Sequence, residues 1–292
     1  MGTESQAIKQ GPLQSLKWIR GSLIFLALLV VARFFLEVVG VSPSTTRYFS
    51  SSAAVFLIAI YLGTVAPLRG VTRTVKLILP AVILAAWMEV WVVLATLVSA
   101  VLRLERSHFA DKEDYGNWSH LGQHIWGHME ELVVFGVAAL VLMSVTFLLR
   151  RWPVTVGPGA ILAALVVLRY WAEAMDIAPT TAAAWSSTVA VLVCGFYLGG
   201  VGPRVGLNSA AQLFMPSIVI GWVWRFWAFL AAVLSASFPF YRTHFFDPSG
   251  GRTFVRLAQL LGASILEGFV AGLVVWGTAI WISRATRRAV AT

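Results

Sequence analysis

Cysteine and charge are the scarce ingredients of this chain. One cysteine, Cys194, leaves no intrachain disulfide and no cysteine zinc cluster to build. Charged residues make up 12% of 292 positions, too few to cover a water-soluble surface, and the long apolar runs exclude disordered, collagen-like and disulfide-framework classes. What is present in their place is 59% hydrophobic residues, including 13 Trp, 18 Phe and 6 Tyr, at a mean hydropathy of +0.80. That composition describes a polytopic membrane protein with interfacial aromatic rings. The excess of 22 basic over 13 acidic residues mimics a nucleic-acid signal until the residues are placed. Most fall in loops on one side of the membrane, so nucleic acid is not an expected partner and the lipid bilayer is.

A bilayer core of about 30 Å takes roughly 20 apolar residues per helix. Eight segments meet or approach that length: about 21 to 41, 52 to 68, 77 to 102, 121 to 149, 158 to 176, 187 to 203, 212 to 237 and 256 to 283. The polar stretch Met1 to Gln14 lacks a small-residue cleavage site and reads as a tail, and Gln6 breaks the myristoylation pattern. With the N-terminus inside, twelve basic residues fall on the cytoplasmic side and seven outside. Both termini are therefore expected in the cytoplasm, in a bacterial inner membrane. The Asn117-Trp118-Ser119 sequon reads as accidental.

Sliding the sequence on itself gives one offset, 136 residues, that holds without insertion. Between Val30–Gly70 and Val166–Gly206, 16 of 41 positions are identical, among them Arg33/Arg169, Glu37/Glu173, Pro43/Pro179 and Pro67/Pro203. The register continues through Pro80/Pro216, Trp91/Trp227, Arg106/Arg242, His108/His244, Asp111/Asp247, Gln123/Gln259, Glu131/Glu267 and Gly136/Gly272. Apolar composition supplies chance Val and Leu matches; it does not supply Arg, Glu, His and Pro at a constant offset. The expected architecture is all-α: residues 1–20 a cytoplasmic tail, 21–151 and 152–288 two tandem four-helix repeats, 289–292 a second tail. Four spans are an even number, so the copies run parallel about a pseudo-two-fold along the membrane normal, as in a fused homodimer. Pro80 and Pro216 are expected in the first turns of their helices, where the missing amide costs little.

Ionisable side chains at membrane depth cost several kcal/mol unless paired or wet, so each is a candidate for function. Arg33 and Glu37 stand four apart on one helix, as do Arg169 and Glu173, so each pair shares a face. Each is either a neutralised clamp or an arginine held ready for an anion or headgroup. Glu89 and Arg225 occupy equivalent positions with opposite charge, which predicts an ion pair across the repeat interface or separate pairing within each bundle. His120, His124, His128 and Glu131 fall within about 80° on one helix and form a stripe about 16 Å long. Such a stripe suits a wet polar face, a proton relay, a haem ligand or a metal, although it is too long for a single ion. In the second copy Glu267 alone survives from it. The hexamer Arg106-Ser107-His108-Phe109-Ala110-Asp111 recurs as Arg242-Thr243-His244-Phe245-Phe246-Asp247 just outside the third and seventh spans, the place for an outer cap.

Two parallel four-helix halves superficially look like haem A synthases and the quinone-handling membrane anchors of molybdenum oxidoreductases. The haem A synthase pattern needs a histidine on each of two helices per bundle, and the second, third, sixth, seventh and eighth spans here contain none. Retinal-lysine, Asp-rich prenyltransferase, Gly-x-Ser rhomboid and glutamic-protease patterns are also missing. The expectation is a non-enzymatic, transporter-like protein. Its polar site, open to the outer side, is lined by Arg33, Glu37, Arg169, Glu173, His124, His128, Glu131 and Glu267, and takes an ion or a small polar or amphiphilic ligand. A structural or assembly subunit with membrane-protein partners, and a haem- or quinone-linked redox subunit, are the alternatives. No cofactor is expected; haem, or a metal on His120, His124 and His128, is the minor option.

Overall fold

The computed structural model describes residues 14–177, 179–237, 243–247 and 252–291. Among these the chain is helical without a strand, and eight helices are long and apolar enough to cross a membrane. They are α1 (Arg20–Val38), α2 (Ser51–Val65), α3 (Ile78–Leu102), α4 (Trp118–Leu148), α5 (Pro153–Ala174), α6 (Ser187–Val201), α7 (Ala210–Ser237) and α8 (Thr253–Ala291). Large apolar side chains such as Phe25, Leu28, Val133 and Trp281 are exposed, as an integral membrane protein facing hydrocarbon requires. Two compact units divide the chain, Met1–Ser144 and Val145–Thr292.

Helix ends are set by local chemistry. Ser50 accepts from the Ala53 N–H at the start of α2, and Ser209 and Gln212 exchange side-chain-to-backbone bonds in a capping box before α7. Because α7 already begins at Ala210, Pro216 lies inside the helix and not in its first turn. Both α1 and α5 end in the same left-handed cap. Gly40 N–H donates to Glu37 O and Val41 N–H to Leu36 O, as Asp176 N–H does to Glu173 O and Ile177 N–H to Ala172 O. Gly40 and Asp176 both have positive φ, +91° and +53°. At Gly40 a Cβ would stand 2.6 Å from Arg106 Nη1, so a side chain there would have to displace the arginine tip.

In the first unit α4 packs on α2 through Phe56 and Phe135, ring centroids 5.7 Å apart, and meets α3 where Gly136 faces Ala85. The Trp87 indole N–H donates to Leu23 O at 2.9 Å and ties α3 to α1. In the second unit α7 and α8 approach backbone to backbone. Gly221 faces Gly268 and Gly272, and a Cβ on Gly272 would lie 2.7 Å from the Ile218 Cα. With no hydrophobic drive between helices in lipid, such small-residue contacts supply the close packing.

Candidate functional site

The duplicated residues build one knot twice. In the first unit Arg33 Nε donates to Glu37 Oε1 at 3.1 Å. The other oxygen accepts from the His108 N–H at 3.0 Å and lies 2.6 Å from His108 Nδ1. In the second, Arg169 Nε donates to Glu173 Oε1 at 3.1 Å, and Glu173 Oε2 takes the His244 N–H at 2.8 Å with Nδ1 at 2.6 Å. The neighbouring hydroxyl docks the hexamer on the preceding helix: Ser107 meets Ser99 at 2.8 Å, and Thr243 meets Ser235 at 2.6 Å. Phe109 and Phe245 lie against their adjoining histidine rings. Every oxygen of Glu37 and Glu173 is thereby satisfied by charge-assisted bonds. The arrangement ties the end of each helix to the hexamer that follows the third or the seventh span. Arg106 lies over Gly40 and the Asp247 carbonyl accepts from Arg256 at 3.0 Å; Arg242 lies outside the described residues.

The histidine stripe of α4 separates into two groups. At its top, Asp114 on the α3–α4 connection is buried. It is bonded to His120 Nδ1 at 2.7 Å, His124 Nδ1 at 2.8 Å and the Asp111 N–H at 2.8 Å. Burial pushes its carboxyl up, but those bonds outweigh burial and hold it below the ordinary carboxylate value. His120 also reaches Glu113, 3.1 Å from Nε2. Asn117 caps α4 through the His120 N–H, so the sequon asparagine is spent as a helix cap.

Deeper in the span, His128 stacks under His124 with ring centroids 5.3 Å apart. Its Nδ1 is 3.2 Å from Glu131 Oε2 and 3.5 Å from Glu89 Oε2. Glu89 is eleven residues from the start of α3 and thirteen from its end, about 17 Å and 20 Å respectively. Glu89 is 3% exposed, and neither carboxylate oxygen has a hydrogen-bond partner; His128 Nε2 is likewise buried without one. The positions 136 residues on are filled differently. Arg225 stands for Glu89, Glu267 for Glu131 and Ser264 for His128, and Arg225 Nη2 is paired with Glu267.

Within each unit the candidate residues pair locally. Arg33 and Glu37 join His108, Arg169 and Glu173 join His244, His120 and His124 join Asp114, His128 and Glu131 join Glu89, and Glu267 joins Arg225. Asp114 carries no helical periodicity that marks it as a partner of the histidines. Glu89 has its neighbours within its own bundle, one of the two pairings its sequence position allows, and α3 and α4 are consecutive helices and neighbours by default. The chain matches no protein-family model, no curated protein and no solved structure, so its function is argued from these groups alone.

Proposed function

We propose that this is a transporter-like membrane protein whose first half admits a cation from the outer side, past Asp114, His120 and His124, to the Glu89–His128–Glu131 cluster in mid-span. The observation that carries this reading is the buried Glu89 carboxylate with no hydrogen-bond partner, beside a second acid and a histidine. A carboxylate buried as Glu89 is is tolerated only when a proton or a cation neutralises it. The surrounding frame belongs to the same proposal: parallel four-helix repeats about an axis along the membrane normal, both termini cytoplasmic, in a bacterial inner membrane. The saturated Arg–Glu–His knots support the frame and not the pathway.

Reconstituted protein in liposomes with an internal pH- or cation-sensitive dye is the test. Uptake that Glu89→Gln and Glu131→Gln both abolish, with the protein still monodisperse, is expected. Uptake indifferent to both changes, or none in the parent, sinks the reading. A second reading, an assembly subunit, is favoured by the knots themselves; stable co-purifying membrane partners with tolerance of both glutamate changes would establish it. The Glu89–Arg225 pairing across the repeats competes for the same carboxylate, and rescue of each single charge reversal by the double reversal would establish that pairing.

A further inference from the structure

We propose that Glu89, His128 and Glu131 form a binding site for one divalent first-row transition-metal ion of the Zn²⁺ or Mn²⁺ kind. The inference rests on the cation reading above and names the class of cation.

Three observations carry it. One oxygen of Glu89, one of Glu131 and a ring nitrogen of His128 all lie within 4.8 Å of one another, with Nδ1 to oxygen separations of 3.2 and 3.5 Å. Ligands about 2.1 Å from a tetrahedral ion stand about 3.4 Å apart, so small side-chain shifts suffice to close a shell. One imidazole with two carboxylates is a borderline-to-hard donor set, which suits zinc, iron or manganese; the lone cysteine is on another helix, and no soft ligand joins the set. Next, the Glu89 oxygens are buried and have no hydrogen-bond partner. A buried acid normally has a hydrogen-bond donor on each oxygen, as Glu37 and Asp114 have here. Last, the chain supplies its own control. At the equivalent positions of the second half the fixed guanidinium of Arg225 pairs with Glu267, so that half carries its cation covalently. The first half has an acid in place of that arginine, so the charge that neutralises it is a mobile one, a proton or the cation proposed here.

The upper cluster does not qualify, because Asp114 already spends its oxygens on His120, His124 and the Asp111 N–H. Glu131 is 40% exposed at its side chain, so its own unit does not close the lower cluster on that side.

The test uses full-length protein in detergent or nanodiscs, stripped with chelator and titrated with Co²⁺, whose visible d–d bands report coordination directly. One Co²⁺ per chain, displaced by Zn²⁺, is expected. Glu89→Gln should weaken binding by about 100-fold or more, since loss of even an outer-shell contact costs 10–100-fold, while Glu267→Gln leaves it unchanged. Glu89→Arg rebuilds the pattern of the second half. It should fold, pair with Glu131 and bind no Co²⁺. No Co²⁺ binding by the parent, or stoichiometric binding that survives Glu89→Gln and Glu131→Gln, overturns the site. Liposome flux that depends on Glu89 without Co²⁺ binding overturns the metal and keeps the cation pathway. Binding without flux upholds the metal and removes transport, and absence of both removes both.

Discussion

The two halves of the chain solve one problem alike and another differently. Near the ends of α1 and α5 each sets arginine, glutamate and histidine in the same geometry, down to matching oxygens on the carboxylate. In mid-span they part: the second half is neutral through Arg225 and Glu267, whereas the first carries Glu89, His128 and Glu131 with no fixed cation among them. On the proposed reading, positions that stay the same across the 136-residue offset serve both halves alike, and those where the chemistry diverges mark what one half does alone, which directs the tests to Glu89, His128 and Glu131.

Three pairs of substitutions sharpen that comparison. The largest effect is expected at the knot. Glu37→Ala removes the buried carboxylate that Arg33 and His108 both bond, at a cost of about 3 kcal/mol or more. Glu173→Ala should cost less, because its side chain is 13% exposed against 3% for Glu37. Thermal unfolding in detergent, followed by tryptophan fluorescence, reads both; equal losses would break the claim that the two knots differ only in burial. Next comes the close helix crossing. Gly221→Ala drives a methyl into the backbone of Gly268 and Gly272 and should cost about 1–3 kcal/mol, whereas Gly136→Ala, whose Cβ meets Ala85 at 3.9 Å, should cost nothing measurable. A tolerated Gly221→Ala would mean that α7 and α8 are not held at that spacing. Smaller still are the hydroxyl pairs: Ser99→Ala and Ser235→Ala should each cost about 1 kcal/mol, alike in the two halves.

Eight spans were legible because a membrane helix needs a long apolar run, and runs survive in sequence without tertiary information. The pairing of Arg33 with Glu37 and of Arg169 with Glu173 was legible for a related reason, since four residues on one helix fix a shared face. The histidines' partners were not. His108 reaches Glu37 from 71 residues away through a loop, and Asp114 meets His120 and His124 because the α3–α4 connection folds back over the head of α4. Neither follows from periodicity. Glu89 could have been assigned: α3 and α4 are consecutive antiparallel helices, and an acid midway along one faces positions midway along the other. The opposite charge at Arg225 leaves a pairing across the halves open beside that one.

The last and most local difference is the pH response of the α3–α4 connection. Asp114 titrates below the usual carboxylate value because three donors hold it ionised against burial. A carboxyl whose folded pKa is depressed stabilises the fold above its unfolded value, and loses that contribution as pH falls through the folded one. The groups facing it are His120 and His124 from α4 and the Asp111 N–H on its own turn, with Glu113 on the far nitrogen of His120. Acidification below the ordinary aspartate value, 3.8, should therefore open the connection to protease at residues 111–117 while the mid-span helices stay folded. Asp114→Asn should remove the acid step by losing the charge that both rings bond. The second half has Gly250 at the matching position, so its own connection should show no such step. An acid-induced opening of equal size in both connections would mean that some other acid, common to the two halves, controls the loop.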